Sequence, residues 1–242
     1  MNNAVDLINF SAAVTGLVIV LLGLFFTLAM KSLEKWTRRF FVALFSVAAA
    51  YVTSDLLSQV SLIFLGPDYA VLSRIAVFCE SFFSSLLMPM ITVYLLRCSG
   101  ERRKRTPLFA SMLTLWLVYV ALLIFTQFST EIYSISSKNV YQRGPWYFVL
   151  LVPPAAMMIM NCISLFFRRK QLTKKQRAAF TVYLLIPLGC MLIQMFSYGL
   201  LMIVIGTSVS AMIMFVFILL DQVDHSINRR SEERRVGKEC RS

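Results

Sequence analysis

Seven apolar stretches constrain this chain more than any other feature, because each supplies about the 20 helical residues that cross a hydrocarbon core of roughly 30 Å. They run over about Ile8–Met30, Phe40–Leu65, Val71–Leu96, Pro107–Gln127, Trp146–Phe167, Ala178–Tyr198 and Leu200–Leu220. The last two are nearly continuous, so the reading requires a very tight turn around Ser197–Gly199. Composition agrees: 58% hydrophobic and 15% charged residues lie far from the soluble average of about 45–50% and 25%, and the mean hydropathy is +0.73. The expected fold is an all-α membrane protein, a seven-transmembrane helix bundle.

The formal charge of +12 would suit a nucleic-acid binder if the basic residues formed one surface, but they fall in short blocks between apolar runs. Lys31, Lys35, Arg38 and Arg39 follow the first run; Arg97, Arg102, Arg103, Lys104 and Arg105 the third; Arg168, Arg169, Lys170, Lys174, Lys175 and Arg177 the fifth; Arg229 and Arg230 the seventh. The opposite loops and the apolar runs hold only Arg74, Lys138 and Arg143. Cytoplasmic loops carry such an excess, which predicts the N-terminus outside, the C-terminus cytoplasmic, and a multi-pass protein of the cell membrane with no nucleic-acid partner. Met1 to Asp6 carries no basic residue and precedes a long apolar run, so no cleaved signal peptide is expected.

The longest outer connection, Phe128 to Pro145, is polar and ends in Gly144-Pro145. Its length suits a small hairpin or lid and is too short for a folded ectodomain. An external ligand must then be small or membrane-borne. Tyr141, Trp146 and Tyr147 suit headgroup depth, with ligand contact as the alternative.

Ionisable side chains within membrane runs are costly, which singles out Asp55, Arg74 and Glu80. Asp55 and Glu80 both lie about ten residues, or roughly 15 Å, from the outer ends of antiparallel helices, so they are expected at one level. They either form a sensing or proton-binding pair, or tie helices together by hydrogen bonds to groups such as Tyr51, Ser54 or Ser84. Arg74 is six positions from Glu80, on a different helix face, and is shallow enough to snorkel outward. Asn161 and Gln194 invite the same two readings. Pro89, Pro153, Pro154 and Pro187 free backbone carbonyls inside helices, which can mark a cavity. Cys79, Cys98, Cys162 and Cys190 read as buried free thiols; with Cys240 they show no metal spacing. No cofactor loop, metal motif or catalytic set is visible. No fixed-period repeat or symmetry between halves is visible either, which weighs against many transporters.

The seventh run continues without Gly or Pro into Asp221-Gln222-Val223-Asp224-His225-Ser226-Ile227-Asn228. Leu220, Val223 and Ile227 follow the three-then-four spacing of a parallel helix seam, while Asp221, Gln222, Asp224 and Asn228 are expected to face outward. His225, the single histidine, reads as a solvated helix residue.

Several phrases resemble one known membrane region. They are Tyr141-Gln142-Arg143-Gly144-Pro145-Trp146-Tyr147, Arg168-Arg169-Lys170-Gln171-Leu172, Leu185-Ile186-Pro187 with Ile193-Gln194 and Tyr198-Gly199, and Leu220-Asp221-Gln222-Val223. Together they resemble the seven-helix amino-terminal region of clostridial-type sensor histidine kinases with a GHKL-type ATPase domain; similar regions also precede diguanylate cyclases. The resemblance implies a membrane sensor domain over residues 1–220 and the start of a signalling helix over 221–229, feeding a cytoplasmic kinase domain as a homodimer. Residues 230–242 break the seam with Arg230, Ser231 and Arg234, and read as foreign or out-of-frame sequence on a truncated gene, or else as a short basic tail attracted by anionic lipid. A small transporter using Asp55 and Glu80 is the rival from another class. Its expectation is a polar cavity that joins both carboxylates to one face.

Overall fold

The computed structural model describes residues 3–30, 33–101, 106–136, 139–196 and 201–239. The expected helices are all there: α1 (Asn3–Ala29), α2 (Lys35–Phe64), α3 (Ala70–Cys98), α4 (Pro107–Phe125), α5 (Tyr147–Arg168), α6 (Lys174–Phe196) and α7 (Met202–Glu239). Each contains a segment long and apolar enough to cross a membrane. A short 3-10 turn, Pro67–Tyr69, joins α2 to α3, and a two-stranded hairpin, β1 (Tyr133–Ile135) with β2 (Tyr141–Arg143), lies between α4 and α5. The expected turn at Ser197–Gly199 lies outside the described residues.

Local chemistry fixes several ends. Pro107 occupies the first turn of α4, where its missing N–H costs nothing. At the end of α3, Gly100 takes φ +76° and donates to the Arg97 carbonyl, while Glu101 N–H reaches the Leu96 carbonyl. That is a Schellman cap, and its left-handed residue favours glycine. α2 and α6 start about one turn earlier than the apolar runs, at Lys35 and Lys174, because hydropathy marks the hydrocarbon and the backbone helix extends past it. Pro89, Pro153, Pro154 and Pro187 are all accommodated inside continuous helices.

The helices form a closed bundle. α1 packs on α2 and α7, α2 on α3 and α7, α3 on α4 and α5, α4 on α5, α5 on α6, and α6 on α7. An aromatic core fills the half nearer the basic loops, with Phe215 of α7 set edge-on against Phe41 at 5.2 Å and Phe45 at 5.7 Å. Gly23 lets α1 approach this core, since a Cβ there would stand 2.4 Å from the Phe45 ring. A second cluster of Val77, Tyr119, Leu123, Ile132, Tyr133, Ile135 and Leu150 sits under the hairpin. Outside, Leu7, Val18, Phe25, Leu117, Ile159 and Phe166 are exposed, an apolar surface that hydrocarbon covers and water would not.

The bundle thus has two unlike ends. The hairpin end holds the start of α1 and α7 and the end of α2, where Asn9 Oδ1 accepts the Leu201 N–H at 2.9 Å. The basic end gathers the ends of α1, α3 and α5, the starts of α2, α4 and α6 and the exit of α7, with polar contacts among Glu34, Arg97, Glu101, Arg168, Thr173 and Asp221.

Candidate functional site

The hairpin is held down by sequence features that act together. Its strands pair Tyr133 with Arg143, Ser134 with Gln142 and Ile135 with Tyr141. Asn139, at φ +59°, donates from Nδ2 to the Ser61 carbonyl at 2.6 Å and the Leu65 carbonyl at 3.1 Å, capping α2. Gly144 must lack a side chain: a Cβ there would stand 2.1 Å from the Glu131 carbonyl oxygen. These contacts fix Arg143 above α5, where its guanidinium lies 4.7 Å from the Tyr147 ring centre.

Beneath Arg143 is a cavity of about 240 Å³ that draws on six helices. α2 gives Tyr51, α3 gives Glu80, Ser81 and Ser84, α4 gives Tyr119, α5 gives Tyr147, Leu150, Leu151 and Pro154, α6 gives Met191 and Gln194, and α7 gives Ile203. Glu80 Oε2 accepts from Ser58 Oγ at 3.1 Å. Among the described residues no Lys or Arg nitrogen lies within 4.0 Å of its carboxylate. Gln194 Oε1 is buried and has no hydrogen-bond partner. The Tyr119 hydroxyl donates to the Ser81 carbonyl at 3.5 Å.

The expected ionisable and amide residues separate into three settings. Glu80 and Gln194 meet in the cavity. Asp55 is buried beside it but does not line it: Gln59 Nε2 donates to Asp55 Oδ2 at 2.8 Å, one helical turn along. Ser58 links the two sites, its hydroxyl 3.1 Å from Glu80 Oε2 and 2.8 Å from the Asp55 backbone carbonyl one turn earlier on α2. Their hydrogen-bond partners are therefore Ser58 and Gln59, in place of the expected Tyr51, Ser54 or Ser84. Asn161 is a helix tie. Its Oδ1 accepts from Thr92 Oγ1 at 2.8 Å and its Nδ2 donates to the Met88 carbonyl at 3.4 Å, joining α5 to α3. Arg74 is exposed and lines a separate groove of about 140 Å³ with Gln127, Phe128 and Tyr133.

Two readings of the outer aromatics differ from expectation. Trp146 is exposed as an interfacial anchor would be, whereas Tyr147 turns into the cavity and Tyr141 stacks on Tyr133 with ring centres 5.6 Å apart. Burial, with Tyr147 beside it, pushes the Tyr141 phenol well above its ordinary range. Cys79, Cys98, Cys162 and Cys190 are free as expected, but half-buried; Cys98 packs against the aromatic core and Cys190 against Gly206 of α7.

The exit of α7 forms a second polar constellation. Leu220, Val223 and Ile227 are 45%, 38% and 58% exposed, and His225 is 67% exposed on its side chain. Asp221 and Gln222 do not face outward. Asp221, 6% exposed, accepts from Thr173 Oγ1 at 2.8 Å and Gln176 Nε2 at 2.9 Å at the start of α6. Gln222 Oε1 accepts the Glu34 N–H at 3.2 Å, and its Nε2 donates to Thr37 Oγ1 at 2.9 Å at the start of α2. Asp224 pairs with Lys175, whose ammonium also donates to the Leu220 carbonyl at 3.3 Å. The helix leaves the bundle gripped from two sides, and its backbone stays helical to Glu239, beyond the end of the seam pattern.

Tyr119, Arg143 as a cavity residue and the Thr173–Gln176 pair escaped the sequence reading. Tyr51 is legible there as a partner for the carboxylates, four residues before Asp55 on one helix face, and Tyr147 as a headgroup anchor with ligand contact as the alternative. No family model and no curated protein matches the sequence.

Proposed function

We propose that this bundle is the membrane-embedded signal-input region of a two-component sensor histidine kinase. Its basic end faces the cytoplasm, and the seventh helix passes the signal to a kinase domain. The observation that carries this reading is the unbroken α7. It crosses the bundle, contributes Ile203 to the cavity at one end, and emerges at the other in a grip of Thr37, Thr173, Gln176 and Lys175. A ligand that shifts α7 at Ile203 must break or remake those contacts, which is how a packed helix transmits a small displacement. The same geometry would serve a diguanylate cyclase equally well, because nothing in the bundle selects the output.

The test joins residues 1–228 in helical phase to a complete kinase output domain. Activity is expected, and inserting two residues after Asn228 rotates the connection by about 200° and should change or invert it. Indifference to the insertion would make α7 a passive anchor. The small-transporter reading has one favourable observation, Glu80 in a cavity, but Asp55 does not line that cavity. Flux into proteoliposomes that Glu80→Gln abolishes would support it over the sensor.

A further inference from the structure

The cavity under the hairpin is lined by an acidic and a basic side chain that do not pair with each other. Glu80 and Arg143 both line it, yet no ion pair within 4.0 Å joins them. A carboxylate charge at this depth is costly without a cation beside it. The phenol rings of Tyr51, Tyr119 and Tyr147 line the same space, and aromatic faces attract organic cations. The buried Gln194 Oε1 is an acceptor with no donor. An ammonium group supplies all that is missing: charge for Glu80, a cation for the rings and, if it carries N–H, a donor for Gln194. Arg143, at the rim, offers its guanidinium to an anion. The volume of about 240 Å³ is below the roughly 300–1,000 Å³ that drug-sized ligands occupy.

We infer that this cavity binds a zwitterionic ammonium compound of amino-acid size, its cationic end against Glu80 among the tyrosines and its anionic end at Arg143. The site deepens the input-region reading, for which it names the stimulus, but binding stands apart from signalling. The class includes both α-amino acids and quaternary betaines, and Gln194 separates them, since only the former can donate to it.

The experiment measures the thermal unfolding midpoint of the full chain in nanodiscs against the α-amino acids and glycine betaine, with choline as a cation lacking the anionic end. At least one zwitterion is expected to raise the midpoint in a saturable way, and to do so more than choline at equal concentration. Glu80→Gln, which keeps an acceptor for Ser58, should weaken that zwitterion by about thirty-fold or more. Arg143→Gln, on the exposed hairpin, should bring the zwitterion down to the affinity of choline; it also guards against misfolding of the Glu80 variant. Midpoints unmoved by every zwitterion would overturn the assignment, and so would a response that survives Glu80→Gln. In the kinase fusion, binding without any change in output would sink the input-region reading and leave the cavity assignment standing. Output that responds without Glu80 would do the reverse.

Discussion

At the scale of single residues, two polar contacts hold the ends of the bundle and can be weighed separately. Asn139 both caps α2 and adopts a left-handed backbone, so its two roles come apart in different substitutions. Asn139→Gly keeps the backbone and loses the two hydrogen bonds, which should cost about 1–2 kcal/mol. Asn139→Ala adds the steric penalty of a Cβ at positive φ, about 1 kcal/mol more. Equal unfolding midpoints for the two variants would show that the backbone role is idle. At the other end, Arg168 meets Glu101 in a two-pronged pair at 2.8 and 2.9 Å and also donates to Ser164 Oγ at 2.6 Å. The Arg168 hydrogen bond holds the Glu101 carboxyl below its ordinary 4.5. A depressed carboxylate stabilises the fold above its unfolded value and loses that contribution as pH falls through the folded one. Unfolding midpoints should therefore drop as pH is lowered from about 5 toward 3, and Glu101→Gln should flatten part of that drop while lowering the midpoint at neutral pH. The opposite trend, a wild-type midpoint rising on acidification over that range, would contradict the pairing.

At the scale of elements, the exit of α7 depends on Asp221. Asp221→Ala strands the Thr173 hydroxyl and the Gln176 amide, at a cost of about 1–3 kcal/mol, whereas Asp221→Asn keeps one acceptor and should fall between. In the kinase fusion both should shift basal output, the alanine variant further; basal output equal to that of the parent in both would remove the grip from the mechanism. Why this grip could not be read in advance is a matter of geometry. Leu220, Val223 and Ile227 were legible as a stripe because apolar spacing alone defines one. The partners of Asp221 and Gln222 sit 45 to 188 residues away in sequence, and Thr37, Thr173 and Gln176 look like any loop residues. A helix leaving a bundle has a third face, toward its neighbours, that a two-sided reading omits. The seven helices themselves were plain, because the bilayer sets their length, and Gly144-Pro145 marked the end of the hairpin. Glu80 and Gln194 stood out as polar residues in apolar runs. Tyr119 did not, because aromatics are ordinary there, and only the packing of α2, α4 and α5 brings it together with Tyr51 and Tyr147.

At the scale of the whole molecule, the bundle leaves one set of apolar side chains that hydrocarbon does not obviously cover. Leu220, Val223 and Ile227 line the last turns of the apolar segment of α7, where the helix passes the polar contacts of the basic end. Each remains more than a third exposed beside Asp221 and Gln222, which are turned into the bundle. A second copy of α7 set parallel to the first would cover that stripe by knobs-into-holes packing, which is the homodimer the input-region reading requires. The structure also indicates which control is informative. Residue 222 is engaged by α2, so a cysteine there would be shielded whether or not a dimer forms. His225 is exposed and off the seam, so a cysteine there is free to react if chains meet at random. In a background with Cys79, Cys98, Cys162, Cys190 and Cys240 replaced by Ser or Ala, single cysteines at positions 220, 223 and 227 should form intermolecular disulfides in membranes under mild oxidation. The variant at 225 should form several-fold fewer. Equal crosslinking at all four positions would mean collision, and none at the three seam positions would mean that α7 signals as a monomer or not at all. Adding the zwitterion that stabilises the chain should then change the relative yields at 220, 223 and 227, because a helix that turns or shifts within a dimer alters which seam side chains approach each other.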